Sequence, residues 1–108
     1  TARMTFYDSL EIMKQAHIIV SGYVQGVWYR KFVKTNAMKL GLTGWVKNTQ
    51  DNRVEAVLQS TERSDQEGKE LIGQMIELCR VGPPFAEIKN VEVVWEDQEE
   101  EFKDFMII

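Results

Sequence analysis

An arginine directly follows a glycine-bearing segment that connects an apolar stretch to a helical one. The stretch 18–20 is β-branched, the segment 21–29 contains Gly22 and Gly26, and a helical pattern begins at about Arg30. Glycines let backbone N–H groups turn toward a ligand, and the first turn of a helix adds unpaired N–H groups with a partial positive charge. An arginine contributes a planar fork of donors that matches phosphate or carboxylate oxygens. The segment predicts an anion-binding site, and a plain strand-to-helix connection is the alternative.

A second polar residue, Asn48, ends a short segment that predicts a strand from Gly44 to Asn48. If this strand lies close to the first one, its end meets the rim of the sheet near Arg30. A neutral amide accepts a hydrogen bond from water and donates one to a developing oxyanion, but it is a poor general base. An arginine with an asparagine therefore indicates catalysis by positioning and electrostatics, without a covalent intermediate. An asparagine that only caps the following turn is the alternative.

The periodicity of the apolar residues predicts the elements that would position these side chains. Strands are expected at 16–23, 44–48, 54–59 and 86–96, helices from about 30 to 40 and from 64 to about 81, and a closing edge strand within 102–108. We also expect Asn52 to have a positive φ in a turn and a bulge near Asn90. The order βαββαβ, with an extra final strand, predicts an α+β split-βαβ sandwich with one antiparallel sheet and both helices on one face.

The length of 108 residues suits one domain, which is expected to cover residues 16–108. Residues 1–15 show no clean period and are expected to form a flexible or weakly docked extension. The side chains expected in the core recur with the period of their element: Ile18, Val20, Val33, Ala37, Leu40, Ala56, Leu58, Leu71 and Met75.

Composition and charge disfavour several classes of protein. With 44% hydrophobic and 28% charged residues, the chain has the composition of an ordinary globular domain. A net charge of −4 disfavours binding to duplex nucleic acid, which usually requires a basic surface. No window approaches the apolar length of a membrane span, and no apolar signal core occurs near the N-terminus. The sequence therefore predicts a cytoplasmic protein that binds neither nucleic acid nor membrane.

The single cysteine, Cys79, and the single histidine, His17, limit the metal and redox chemistry. One cysteine excludes an internal disulfide, and a zinc site built on cysteine or histidine clusters is excluded as well. Cys79 falls on the apolar side of the second predicted helix and is expected in the core. His17 is expected to be a half-exposed sheet residue rather than a general base. We therefore predict no metal and no cofactor.

Two long segments, in order along the chain, carry a resemblance to a known family. The segment Gly22–Arg30 resembles the first acylphosphatase signature, G-x-V-Q-G-V-x-[FY]-R. The segment Gly44–Asn48 resembles the second signature, which continues through Asp51 and 54–56. The segment 82–86 is similar to a late loop of the same family. The resemblance covers about residues 16–108, which is nearly the whole chain beyond the predicted extension.

The resemblance implies a small ferredoxin-like enzyme, here a monomer, that hydrolyses a small-molecule acyl phosphate without metal or cofactor. It implies two catalytic residues, Arg30 to hold the phosphoryl group and Asn48 to orient the attacking water. The phosphate-binding loop that it implies consists of Gln25, Gly26, Val27, Trp28, Tyr29 and Arg30. The chain departs from the family at Asn52 and Ser60, where glycines are usual, and these positions bear on turn geometry rather than on the chemistry.

Two other classes of protein stay open at this point. A non-catalytic phosphate- or carboxylate-binding module on the same fold would have the loop without turnover. An RNA-recognition domain shares the βαββαβ order, but it needs stacked aromatic residues on a basic sheet face. The first predicted strand offers only Tyr23 near its end, and the third has no aromatic residue. A turnover assay separates the enzyme from the binding module.

Overall fold

The computed structural model describes residues 14–61, 65–98 and 100–108 of the chain. The elements are β1 (Lys14–Tyr23), α1 (Tyr29–Lys39), β2 (Leu42–Asn48), β3 (Val54–Ser60), α2 (Asp65–Val81), β4 (Glu87–Asp97) and β5 (Phe105–Ile107). Each strand and helix predicted from the sequence is present, with small shifts at its ends. Residues 1–13 and Ser64, the expected cap of the second helix, lie outside the described residues. The predicted extension therefore stays a prediction, and its expected last two residues belong to β1.

The five strands form one sheet in the order β4-β1-β3-β2-β5. Neighbouring strands pair antiparallel, except that β5 runs parallel to β2 with Phe105 opposite Gly44. The expectation of a wholly antiparallel sheet is therefore wrong for the last strand, and the sheet is mixed. The direction of β5 follows from the connection before it. The chain reverses after β4 and crosses the end of the sheet, so the returning strand runs the same way as β2 at the far edge.

A buried glutamine, Gln59, holds this crossing connection against the end of β3. Its Nε2 donates hydrogen bonds to the carbonyl oxygen of Glu100 at 2.6 Å and to Oε1 of Gln15 at 2.8 Å. Its Oε1 accepts a hydrogen bond from the backbone N–H of Phe102 at 3.1 Å. Because both polar atoms of the amide have partners, a glutamine is tolerated in a buried position. Gln59 thereby fixes the path of the chain toward β5.

The core lies between the two helices and the face of the sheet that they cover. Alternate strand residues point to that face because the side-chain period of a strand is two. The core includes Ala16, Ile18, Val20, Val46, Val54, Ala56, Leu58, Val33, Ala37, Ile72, Met75, Ile76 and Cys79. Leu40 and Leu71, which were expected in the core, are only partly buried and pack against it, because α2 places Ile72 in the core beside Met75. Among the described residues, no helix is long and apolar enough to cross a membrane.

A bulge in β4 shapes the end of β1. The register of β1 against β4 shifts between Ser21 and Gly22, which leaves Lys89 as the extra residue. A Cβ atom on Gly22 would lie 2.1 Å from the carbonyl oxygen of Glu87, so only glycine allows this close approach. The bulge predicted near Asn90 is confirmed, and it lies beside the point where β1 passes into the loop before α1.

Candidate active site

The loop between β1 and α1 turns through two residues with left-handed backbone conformation. Gly26 has φ 76° and Trp28 has φ 66°. The side chains of Val24 and Val27 are buried and anchor the loop to the core. Left-handed residues in a tight turn direct successive backbone N–H groups toward one side, which is the geometry of an anion-binding concavity. A tryptophan rarely adopts this conformation, because the Cβ atom is crowded there.

The backbone N–H groups of this loop find no acceptor among the residues that the structure describes. Within the described part of the chain, the N–H groups of residues 25–30 donate no hydrogen bond. The N-cap residue of α1, Trp28, provides no side-chain hydrogen bond, and the first turn of α1 contains no acidic residue. Backbone N–H groups normally have partners, and a helix N-terminus carries a partial positive charge. The loop therefore has free donors and a positive potential that suit an anion.

Arg30 lies in the first turn of α1, immediately after the loop, and its side chain is half-buried. In the part of the chain that the structure describes, its guanidinium has no hydrogen-bond or ion-pair partner. By contrast, Arg53 pairs with Asp51 and Arg80 pairs with Glu77. An unpaired guanidinium keeps all of its donors for a ligand.

Asn48 is the last residue of β2, and the two-residue period of the strand puts it on the face that the helices cover. It lines one groove together with Arg30 and Gly26. Among the described residues its side chain makes no hydrogen bond, so it does not cap the turn that follows. That turn is closed instead by Thr49, whose Oγ1 accepts a hydrogen bond from the N–H of Arg53 at 3.0 Å. The alternative role for Asn48, a turn cap, is thus filled by its neighbour.

Gln25 connects the loop to the turn that follows Asn48. Its Nε2 donates hydrogen bonds to the carbonyl oxygens of Thr49 and Arg53, each at 2.9 Å. The turn is further held by the Asp51 carboxylate, which accepts hydrogen bonds from Thr49 and Arg53. The same hydrogen bonds lower the pKa of this carboxyl to about 2. The loop and Asn48 are therefore fixed relative to each other. The sequence resemblance included Gln25 but gave no sign of this contact, since the contact depends on tertiary structure.

Two residues of the predicted phosphate loop, Val27 and Tyr29, have buried side chains. Val27 is 5% exposed and Tyr29 is 1% exposed. The Tyr29 hydroxyl donates a hydrogen bond to the carbonyl oxygen of Cys79 at 2.7 Å, and burial raises the pKa of this tyrosine. The hydrogen bond joins the start of α1 to the end of α2. Any contribution of Val27 or Tyr29 to polar contacts with an anion therefore comes from the backbone N–H.

His17 and Cys79 lie away from the groove, as expected from the sequence. His17 is half-exposed on the uncovered face of the sheet, which is the face opposite the two helices. Its Nε2 lies 2.5 Å from Oε2 of Glu55, and its ring packs edge to face with Trp45. Cys79 is fully buried, and burial raises the pKa of its thiol to about 12, so it is not a thiolate near neutral pH. Within the described residues no group of three His, Cys, Asp or Glu side chains could hold a metal ion.

Comparison with known proteins places this chain in one family. The family model described as Acylphosphatase matches residues 16–107. The chain is 45% identical over 104 residues to an acylphosphatase of Pyrobaculum calidifontis, covering 95% of this chain and 87% of the relative. It is 40% identical over 93 residues to an acylphosphatase of Pelotomaculum thermopropionicum, covering 86% of this chain and 94% of the relative. The crystal structure of acylphosphatase from Bacillus subtilis matches with a TM-score of 0.79 and 35% identity, covering 89% of this chain and 99% of the other.

The chain belongs to the acylphosphatase family. Its two helices on a five-stranded mixed sheet form the ferredoxin-like α+β fold that these structural neighbours share. It is a hydrolase that acts on acyl phosphates.

The contact of Gln25 with the turn gives a testable expectation. Gln25→Met removes both hydrogen-bond donors without adding a charge and leaves the carbonyl oxygens of Thr49 and Arg53 with one partner fewer. We expect the free energy of unfolding to fall by about 1–3 kcal/mol, and kcat/KM to fall roughly tenfold because the loop and Asn48 lose their fixed relation. Gln50→Met, in the same turn but exposed, is the matched control. Urea unfolding and kinetics that are the same for the two variants would contradict the coupling.

Proposed function

We propose that this groove hydrolyses the carboxyl-phosphate bond of a small acyl phosphate, in a cytoplasmic and monomeric enzyme. The N–H groups of residues 25–30 and the guanidinium of Arg30 hold the oxygens of the phosphoryl group. Asn48 orients the attacking water. One observation carries the proposal: the loop N–H groups, Arg30 and Asn48 belong to the same groove, and none of them has a hydrogen-bond partner in the described part of the chain.

The proposed reaction needs positioned donors rather than a protein base. Phosphoryl transfer spreads negative charge over three equatorial oxygens, and fixed N–H groups with a guanidinium stabilise that charge. The side-chain oxygen of Asn48 accepts a hydrogen bond from the water and directs it toward phosphorus. The bond from the water oxygen to phosphorus forms while the bond from phosphorus to the acyl oxygen breaks. The carboxylate leaves with the electron pair, and both protons of the water end on the inorganic phosphate.

The charge around the groove supports an anionic substrate. Of the described residues that line it, three are cationic, Arg30, Lys31 and Lys34, and none is a carboxylate. The whole chain has a net charge of −4, so the positive potential is a local feature of this surface. A localised potential of this kind raises the concentration of an anionic substrate at the site and its rate of association.

The uncovered face of the sheet supports the expectation that nucleic acid is not a partner. Glu55 lies there on β3, and Glu92 and Glu96 lie on β4 opposite residues of β1 whose side chains point to the same face. An RNA-binding sheet needs a basic face with aromatic residues on its central strands. Here the face is acidic, β3 has no aromatic residue, and the tyrosine of β1, Tyr23, stands at the last position of the strand.

Metal independence is a direct consequence of this assignment and can be tested. Because backbone N–H groups and Arg30 neutralise the phosphoryl charge, and because a carboxylate is already a good leaving group, we expect unchanged hydrolysis of acetyl phosphate in excess EDTA. The measurement is the rate of acetate formation before and after exhaustive treatment with chelator. Activity that disappears in EDTA and returns on addition of Mg²⁺ would contradict the expectation.

A further inference from the structure

The groove is longer than a phosphoryl group requires. It has a volume of about 710 Å³ and extends from Gly26, Arg30 and Asn48 to Met38 in the last turns of α1. Arg30 and Met38 are eight residues apart, which corresponds to about 12 Å along a helix. Grooves of roughly 300–1,000 Å³ hold ligands of many atoms. With the phosphoryl group at the Arg30 end, most of the groove remains for the acyl group.

Three large apolar side chains of the groove are exposed. Trp28 is 73% exposed, Met38 is 59% exposed and Ile107 of β5 is 39% exposed, and all three line the groove. Large apolar side chains that remain exposed next to a site gain free energy when a ligand covers them. An apolar part of the substrate therefore fits against these side chains better than a second charged group does.

Trp28 forms the wall of this apolar part. Its indole, together with Lys31 and Thr35, lines both the groove described above and a second, adjoining groove that includes Phe32 and Pro83. The ammonium of Lys31 lies 5.6 Å from the centroid of the indole ring. This cation–π contact orients the ring, so the Trp28 side chain loses less conformational entropy when a ligand packs against it. An oriented, exposed indole is a surface on which a flat ring stacks well.

The backbone of Trp28 has a conformation that is strained for a tryptophan. Its φ of 66° lies in the left-handed region, which glycine adopts freely and other residues adopt with strain. Gly26, two residues earlier, has a similar φ of 76°, which a glycine adopts without strain. Strained backbone conformations cluster at active sites and ligand-binding loops. At Trp28 the exposed indole has no structural role in the core, because most of its surface is open to solvent.

We propose that Trp28, with Met38 and Ile107, forms an acyl-group subsite that makes this enzyme prefer acyl phosphates with an aromatic acyl group over acetyl phosphate. The inference rests on the proposed function for the position of the phosphoryl group. The acyl ring stacks against the indole in the groove while the phosphoryl group stays in the loop. Trp28 is then a specificity-determining residue, and its side chain acts mainly on substrate affinity.

The test compares benzoyl phosphate with acetyl phosphate in the wild type and in the variants Trp28→Phe, Trp28→Ala and Trp28→Gly. The quantity measured is the ratio of kcat/KM for the two substrates, which cancels any general effect of a variant on the loop. We expect benzoyl phosphate to be preferred in the wild type, mainly through KM. The ratio should fall roughly tenfold in Trp28→Ala and Trp28→Gly and less than about threefold in Trp28→Phe. Phe85→Ala removes an aromatic residue that is 75% exposed and does not line the groove, and should leave the ratio unchanged.

Two further readouts separate the subsite from the catalytic assignment. Inhibition by benzoylphosphonate relative to inorganic phosphate measures the subsite without turnover, and its ratio should follow the same order among the variants. Trp28→Gly should unfold at a higher urea concentration than Trp28→Ala, because glycine relieves the left-handed strain. Equal substrate and inhibitor ratios in all Trp28 variants would overturn the subsite and leave the proposed function intact. Hydrolysis of neither substrate, with Trp28-dependent binding of benzoylphosphonate, would overturn the function and leave the subsite intact.

Discussion

Arg30→Ala is expected to lower kcat/KM for acyl phosphates by roughly 10³-fold or more, the upper range for loss of one strong donor to a developing oxyanion. The guanidinium has no partner among the described residues, so its removal leaves no protein group newly unpaired. The expected change in the free energy of unfolding is therefore within about 0.5 kcal/mol. Steady-state kinetics with acetyl phosphate and urea unfolding of the same preparation measure both effects.

Two further variants distinguish the effect of the planar guanidinium donors of Arg30 from the effect of its positive charge. Arg30→Lys retains the positive charge but loses the planar pair of donors, so both substrate affinity and turnover should fall, though less than in Arg30→Ala. Lys39→Ala removes one positive charge from the other end of α1, outside the groove, and should leave kcat/KM close to that of the wild type. An Arg30→Lys enzyme with unchanged kcat/KM would remove the guanidinium from the site.

Asn48→Ala is expected to lower kcat by roughly 10²-fold or more while the protein still binds phosphate. The side chain lines the groove but is not part of the loop, so inhibition by inorganic phosphate should change little. Its stability should also change little, because the turn after β2 is closed by Thr49 and not by Asn48. The measurements are kcat, the inhibition constant of phosphate and the urea midpoint.

The control for Asn48 is Asn90→Ala, which removes an exposed asparagine from β4, outside the groove. It should retain wild-type kcat and phosphate inhibition. If Asn48→Ala were destabilised but fully active, the water would have to be oriented by another residue. A parallel loss of phosphate binding in Asn48→Ala would instead place the asparagine among the groups that hold the anion.

The elements, and the positions of Arg30 near the start of α1 and Asn48 at the end of β2, could be predicted because their causes are local in the sequence. Apolar residues at alternate positions define the core-facing side of β1 and β3. Gly41, with φ 72°, ends α1 as expected of a glycine after a helix. Asn52 has the positive φ that its turn position predicts, since asparagine tolerates the left-handed region. These features depend on residues close together along the chain.

The remaining features depend on contacts between distant parts of the chain. The parallel direction of β5 follows from a connection that Gln59 holds across the end of the sheet. The contact of Gln25 with the turn after Asn48 needs the loop and the hairpin to be in place together. Nothing in a tryptophan favours a left-handed backbone, so the conformation of Trp28 is visible only in the folded protein.

The attack of an oriented water on phosphorus can be followed with isotope-labelled water. Hydrolysis of acetyl phosphate in H₂¹⁸O by the wild-type protein, followed by mass spectrometry of both products, reports which bond is broken. Because Arg30 and the loop would hold the phosphoryl group and Asn48 would present the water to it, we expect rapid turnover with the label in inorganic phosphate and none in acetate. Label in acetate would show attack on the carbonyl carbon, and hydrolysis no faster than in buffer would show a binding module. Either result would contradict the assignment of this groove.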